Sequence, residues 1–388
     1  MLNSANVLHE TASCGTHVKY CFKVTNLETK RIAVIPGDGI GREVTPEGVK
    51  VVQAACALSG KKIGFTDFDW GADRFLKDGT TLPADAPAML QRDFDAILLG
   101  AVGDPRVPSN QHAADILLGL RFKLDLYVNA RPCALFDQRL TPLRDRSERD
   151  INFIVFRENT EGAYAGIGGN FKQGTADEIA VQEDVNTRRG VERIIRYALE
   201  YARRKGLKRV CMSDKSNAMT YGHGLWQRVW RESQKEYAGL ETRHLYVDTL
   251  MMEMVRDPSQ FQVIVTCNLF GDIASDLGAQ LSGGLGLAPS GNIHPGRVSL
   301  FEPVHGSAPN IAGKNIANPL GSALAGAMML EYLGLEREAF AIQNAARDAV
   351  REGKTTPDIG GSMGTREVGD WLADRISKRG LAEAGVQA

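Results

Sequence analysis

The chain has 388 residues, 43% of them hydrophobic and 24% charged, which places it among globular proteins long enough for two domains. A formal net charge of -1 supplies no global field for nucleic acid or an anionic membrane, so an anionic substrate must be caught by particular arginines. No apolar run reaches the ~18 residues of a membrane span. The six cysteines, Cys14, Cys21, Cys56, Cys133, Cys211 and Cys267, form no CxxC pair and no zinc-finger spacing, as expected of reduced thiols in a cytoplasmic protein.

Residues 1–30 carry Glu10 and Glu28 and lack the apolar stretch of a secretory signal, so they read as a flexible extension ahead of the fold. The first strand is Arg31-Ile-Ala-Val-Ile35, followed by the glycine turn Pro36-Gly-Asp-Gly-Ile-Gly41 and a helix over 43–58. Ala96-Ile-Leu-Leu99 is a second strand ending in a glycine loop, and 112–128 reads as a helix. Ile151-Asn-Phe-Ile-Val-Phe156 and Gln262-Val-Ile-Val-Thr266 read as buried strands, apolar throughout because helices cover both faces. Further helices fit 187–206, 223–237 and 314–334. Gly162–Thr175, glycine-rich with an aromatic tip, suits an arm or flap, and Gly283-Gly-Leu-Gly286 suits a crossover between lobes. This alternation of strands and helices is that of an α/β protein.

Several segments carry chemistry, each beside an ordinary alternative. Gly37-Asp-Gly-Ile-Gly41 is GxGxG rather than GxGxxG, and no acidic ribose ligand ends a second strand, so it lacks the dinucleotide fingerprint: it is either a tight turn needing positive φ or a turn with a nucleotide nearby. Asp272 and Asp276, spaced i,i+4 after a buried strand, share a helix face. They are either solvated aspartates or hard oxygen ligands for Mg²⁺ or Mn²⁺, with Asp248 as a third candidate. Ala114, Leu117, Leu118 and Arg121 fall on one helical stripe, an apolar surface beside a guanidinium or simply core packing. Arg131 and Arg157 follow, able to hold a dicarboxylate or to form surface ion pairs. Lys215 at a strand end is a candidate base, Tyr164 in the flap a candidate acid, and His305 in a Gly/Pro loop a candidate to stack on an adenine.

Taken in order, Gly37-Asp-Gly-Ile-Gly41, Leu118-Gly-Leu-Arg121, Asn129-Ala-Arg-Pro132, Arg157-Glu-Asn-Thr-Glu-Gly162, Lys215-Ser-Asn217, Asn268-Leu-Phe-Gly-Asp272 and Glu302-Pro-Val-His-Gly-Ser-Ala-Pro309 resemble a known family. It is that of the β-decarboxylating dehydrogenases, which act on isopropylmalate, isocitrate, homoisocitrate, tartrate and D-malate. The resemblance runs from about Arg31 to about Leu333. It implies an isopropylmalate dehydrogenase-like fold, two α/β domains on one continuous sheet. The large domain would comprise 31–126 and 283–388, and the smaller central domain, 127–282, would carry the arm and a dimer interface.

The resemblance also implies roles. Asp248, Asp272 and Asp276 would hold Mg²⁺ or Mn²⁺, with Lys215, Asn217 and Asp248 reaching across a homodimer into the other protomer's site. Lys215, with Asp248, would take the hydroxyl proton and Tyr164 would return one to carbon. Arg121, Arg131, Arg157 and Asn217 would bind substrate, and Leu117 and Leu118 its side chain. NAD would lie against Ile40, Glu302, His305, Gly306, Ser307 and Ala308, with Asn310 and Asn318 beyond them.

The hydrocarbon at Leu117 and Leu118 points to 3-isopropylmalate, and so to leucine biosynthesis; burying an isopropyl group there is worth roughly 1.5–3 kcal/mol. Ala114 departs from the glutamate usual in isopropylmalate enzymes, which keeps tartrate and D-malate as alternatives, ahead of homoisocitrate and isocitrate. Asn310 replaces the aspartate of NAD-using members, and no cation replaces it, so the expectation is NAD with weakened discrimination. A catalytically silent regulatory subunit is a rival from another class, against which Asp272, Lys215 and Tyr164 speak.

Overall fold

The computed structural model describes residues 29–380. Its strands are β1 (Lys30–Gly37), β2 (Ile63–Asp67), β3 (Ala96–Ala101), β4 (Val128–Ala134), β5 (Asn152–Glu158), β6 (Gly168–Phe171), β7 (Ile179–Gln182), β8 (Arg209–Asp214), β9 (Glu241–Tyr246), β10 (Val263–Thr266), β11 (Pro289–Ile293) and β12 (Ser299–Pro303). Ten of them form one sheet in the order β2-β1-β3-β12-β11-β4-β5-β10-β8-β9. β2, β1, β3 and β12 are mutually parallel, as are β5, β10, β8 and β9. Between these groups β11 and β4 pair antiparallel with each other and with their outer neighbours. The two parallel groups therefore run in opposite directions, which no Rossmann sheet does.

Alternation along the strands explains why both faces are apolar. Ile32 and Val34 of β1 and Ile154 and Phe156 of β5 enter a core shared with the helices Gly41–Ser59, Arg188–Arg204 and Leu320–Tyr332. Ala33 and Ile35 turn the other way, onto Ile116 and Leu120 of the helix Gln111–Lys123. Phe153 and Val155 pack onto Ala274 and Leu281 of the helix Asn268–Leu281. A strand covered on both faces reads as a continuous apolar run. A cavity of about 1080 Å³, lined by Ala130, Pro132, Phe156, Tyr201 and Met328 among others, opens on the first of these faces. None of the expected site residues lines it.

The expected helix over 112–128 ends at Lys123. Asp125 takes φ +49 and turns the chain, after which Val128 enters the sheet as β4, between β5 and β11. The expected helix over 314–334 begins only at Leu320, where the Asn318 Oδ1 accepts the Leu320 N–H and Asn315 has φ +54. The helix expected over 223–237 runs from Gly222 to Ser233, and Gln234–Tyr237 tightens to a 3₁₀ turn. The flap expected over 162–175 holds the 3₁₀ turn Ala163–Ala165, with Tyr164, and β6, and the exposed hairpin continues through β7 to Gln182. Residues 1–28 and 381–388 lie outside the described residues, with the leading part of the extension, Cys14 and Cys21. The other four cysteines are buried free thiols. Among the described residues no helix is long and apolar enough to cross a membrane.

Candidate active site

The glycine turn is a closed, packed junction. Gly37 and Gly39 have positive φ, and a side chain at Gly37 would collide with the backbone carbonyl of Ala101. Asp38 between them is fully buried. Its carboxylate accepts the N–H groups of Ala72 (2.7 Å) and Gly103 (2.8 Å) and faces His112 Nε2 at 2.9 Å. The tight-turn reading of this motif is the one the geometry supports.

The arginines and Asp272 converge on the opposite half of the sheet. Asn129 pairs with Arg157 across β4 and β5, and Arg131 with Val155, so both guanidiniums rise from one face. The helix Asn268–Leu281 lies on that face so closely that a side chain at Gly271 would overlap the Arg157 side chain. Asp272 is thereby brought onto both arginines. Arg157 Nη1 makes a short contact with Asp272 Oδ1, and Arg131 Nη1 donates to the same oxygen at 3.0 Å and to Ser275 Oγ at 2.9 Å. The Arg157 Nε and Nη2 both donate to Asn268 Oδ1, at 2.9 and 2.6 Å. Tyr164 Oη donates to Asp272 Oδ2 at 3.1 Å, and its ring lies 5.0 Å from the Arg157 guanidinium carbon.

Electrostatics separates the two aspartates. Burial pushes the Asp272 carboxyl up, but Arg157 and Arg131 outweigh it and hold it below the usual aspartate range. Asp276, 3.4 Å from Arg131 and more open to solvent, is driven the other way by burial and by the neighbouring Asp272. Burial and Asp272 also raise the Tyr164 phenol, which keeps it protonated. Arg121 is buried and donates to Glu302 Oε1 at 3.3 Å, while Asn292 Nδ2 donates to the same oxygen at 2.8 Å. The Nε atoms of Arg121 and Arg131 are buried without a hydrogen-bond partner. Unpaired arginine donors beside open carboxylates suit an anionic ligand together with a hard cation.

Lys215 and Asp248 form a separate cluster. Lys215 Nζ donates to Asp248 Oδ1 at 2.8 Å, and that bond holds the exposed carboxyl below its usual range. Asn217 is exposed two residues on. No hydrogen bond or ion pair joins this cluster to Asp272 and Asp276, and within one chain no three His, Cys, Asp or Glu side chains among the described residues are placed to hold a metal. Leu118 is partly exposed one turn before Arg121, with Ala114 exposed a turn earlier. Leu117 packs instead against the core of Ile116 and Leu120, so part of its surface serves the fold.

The loop after β12 folds over the glycine turn. The Ile40 N–H donates to the Ser307 carbonyl at 2.8 Å, and Ile40 packs with Ala308 and Ile311. Burial lowers the His305 pKa, its Nε2 has no partner, and its Nδ1 lies 3.1 Å from the Gly306 carbonyl. A neutral ring with a free nitrogen suits a heteroaromatic base. Gly306 and Asn310 are exposed beside it. Asn318 is already engaged, donating to Asp358 Oδ2 at 3.0 Å while capping the next helix.

Residues 31–372 match the isocitrate/isopropylmalate dehydrogenase family. The chain belongs to that family. It is a decarboxylating hydroxy-acid dehydrogenase. A 3-isopropylmalate dehydrogenase of Thermobifida fusca is 46% identical over 91% of this chain and 99% of its own. A decarboxylating D-malate dehydrogenase of Escherichia coli is 43% identical over 90% of this chain and 99% of its own. The crystal structure of isocitrate dehydrogenase from Methylococcus capsulatus superposes with a TM-score of 0.81 at 38% identity, over 90% of this chain and 99% of that one.

For this member of the family, two supporting residues, Ser275 and Asn292, lie outside the motifs, and a third, Asn268, lies within one without an expected role. Ser275 and Asn268 hold the arginines, and Asn292 holds Glu302 against Arg121. Ser275 is legible as the helix neighbour of Asp272 at i+3. Asn292 is fully buried in β11 beside Ser290 and Gly291, and the sequence of that strand carries no signal that singles it out.

Proposed function

We propose that this protein oxidises and decarboxylates (2R,3S)-3-isopropylmalate to 4-methyl-2-oxopentanoate, reducing NAD, as a cytoplasmic step of leucine biosynthesis. The observation that carries this is that Arg131 and Arg157 meet at Asp272, with Asp276 and the buried Arg121 nearby, and that Leu118 is partly exposed one turn from Arg121. Two substrate carboxylates match the arginines, and a branched hydrocarbon matches the leucine. A divalent cation at Asp272 and Asp276 would supply Lewis acidity toward the substrate oxygens, and NAD would accept the hydride.

The chain's own groups do the rest. Arg121, Arg131 and Arg157 orient the carboxylates, the last two fixed from behind by Ser275 and Asn268. Lys215, coupled to Asp248, takes the C2 hydroxyl proton. Tyr164, kept protonated, gives a proton to C3 after carbon dioxide leaves. Ile40, Glu302, His305, Gly306, Ser307, Ala308, Asn310 and Asn318 frame the cofactor, with Asn310 accepting from a ribose hydroxyl.

The separation of Lys215 and Asp248 from Asp272 supports a homodimer in which Lys215, Asn217 and Asp248 of one protomer complete the site of the other. Exposed apolar side chains supply a surface for it: Ile167, Phe171 and Ile179 on the hairpin segment, Met252 beside Asp248, and Ile273 beside Asp272. The domain division at about 126 and 283 fits the two oppositely directed strand groups.

The D-malate relative and the exposed Ala114 favour a second reading, D-malate or tartrate as substrate. Initial rates of NADH formation with Mn²⁺ and each of 3-isopropylmalate, D-malate, tartrate, isocitrate and homoisocitrate decide it. A kcat/KM for D-malate above that for 3-isopropylmalate overturns the first reading, and an NADP preference of about tenfold or more overturns the cofactor (a differential of roughly 1.4 kcal/mol).

A further inference from the structure

Lys215 follows β8 directly, and its backbone is held on every side. Its carbonyl accepts the N–H groups of Ala218 (3.0 Å) and Met219 (2.8 Å). Asp214, just before it, is fully buried; its carboxylate accepts from Gln227 Nε2 (2.7 Å) and the Ser216 N–H (3.0 Å) and faces His244 Nε2 at 3.0 Å. The N–H of Lys215 itself donates to Nδ1 of His223, eight residues on, at 2.8 Å.

His223 is fully buried, edge-on to Phe270 with ring centroids 5.2 Å apart. An imidazole nitrogen that accepts a hydrogen bond carries no proton, so the neutral ring's proton sits on Nε2. That N–H is buried and has no hydrogen-bond partner. Ahead of it lies Asp184 Oδ2, at 3.6 Å, an electrostatic contact rather than a closed hydrogen bond. A buried donor left short of its acceptor is destabilising and calls for a reason.

Asp184 stands at the foot of the β6–β7 hairpin. Its Oδ2 accepts from Asn186 Nδ2 at 2.6 Å, and Asn186 Oδ1 accepts from Trp226 Nε1 at 2.8 Å, so the carboxylate is anchored to the helix that carries His223. The adjoining Val185 carbonyl accepts the Gly162 N–H at 2.7 Å, two residues before Tyr164. The field of Asp184 selects the Nε2–H tautomer, and that tautomer leaves Nδ1 free to hold Lys215.

We propose that His223 is a positioning residue for Lys215: its Nδ1 fixes the Lys215 backbone so that Nζ arrives beside Asp248 in a single orientation. The proposal rests on the assignment of Lys215 as the group that takes the hydroxyl proton. The ring touches no substrate and transfers no proton. Its contribution is preorganisation, and losing it moves kcat more than KM.

The test uses the full-length protein with 3-isopropylmalate, NAD and Mn²⁺. His223→Leu removes the acceptor and is expected to lower kcat about tenfold with KM within about twofold. His223→Asn places Oδ1 where Nδ1 was, so kcat recovers to within about threefold of wild type. Its thermal midpoint stays as low as that of the leucine variant, because the ring contact with Phe270 is lost in both. A purely structural role predicts instead that kcat follows the thermal midpoint and that asparagine rescues nothing; that result overturns the proposal, as does an unchanged kcat in His223→Leu. Lys215→Met separates the two levels. Undiminished turnover there overturns the role of Lys215, whereas lost turnover there with normal turnover in His223→Leu overturns only the inference about His223.

Discussion

Two buried strands in this chain are followed by aspartates, and the two places differ in what meets the carboxylate. After β1, Asp38 is fully buried, and two backbone N–H groups and His112 surround it. After β10, Asp272 and Asp276 stand beside guanidiniums with solvent still reaching them, and the two carboxylates repel one another. A carboxylate whose oxygens are all engaged by its own chain holds a loop in shape. One that is left partly open among cations whose own donors are unfilled is available to a ligand. Both follow a buried strand in the chain, so order along the sequence does not distinguish them.

The comparison predicts opposite consequences for the two sites. The largest effect belongs to Asp272→Asn, which should lower kcat/KM by about 10³-fold or more, roughly 4 kcal/mol of transition-state stabilisation, in assays with Mn²⁺. Turnover near wild type would place Asp272 with Asp38, as a structural residue. Next comes Asp38→Ala, expected to leave buried N–H donors unpaired and to cost about 2–4 kcal/mol of stability by chemical denaturation. The folded fraction should keep its turnover; a large catalytic loss without a stability loss would show that Asp38 has a functional role after all.

A smaller effect should separate the paired carboxylates from their surroundings. In metal-free protein, Asp276→Asn should leave the thermal midpoint unchanged or raise it, because it removes a charge that burial and Asp272 disfavour. The same substitution should abolish the rise that Mn²⁺ produces in the wild type, about 2.7 kcal/mol at a hundredfold excess over Kd. A metal-induced rise that survives in the variant would remove Asp276 from the site. The smallest effect is one of specificity. Leu118→Ala should lower kcat/KM for 3-isopropylmalate about tenfold, near 1.5 kcal/mol, and leave that for D-malate within about twofold. Equal losses with both substrates would mean that Leu118 packs the helix rather than the substrate.

Much of the site was legible because its residues come in short contiguous segments at the ends of apolar runs. Arg157, Lys215 and Asp272 each follow such a run, and the i,i+4 spacing of Asp272 and Asp276 is itself a statement about one helix face. Leu117 and Leu118 were less separable. They are adjacent and both half-buried, and only packing shows that Leu117 joins the core of Ile116 and Leu120. The strand β4 was missed because Leu117 to Val128 is apolar enough to extend a helical pattern, and the turn at Asp125 depends on a left-handed conformation that spacing does not announce.

By itself, then, the sequence determined the α/β alternation, the strands apolar on both faces, the aspartate pair and the arginines, because periodicity and burial impose those patterns locally. Tertiary structure alone decided the ten-strand order with its reversal at β4 and β11, since strand pairing joins segments more than a hundred residues apart. It also decided which aspartate is closed and which open, and that His223 reaches back to Lys215. The charge of a carboxylate is written in the chain, but the number of donors that meet it is set only when distant backbone comes to rest against it.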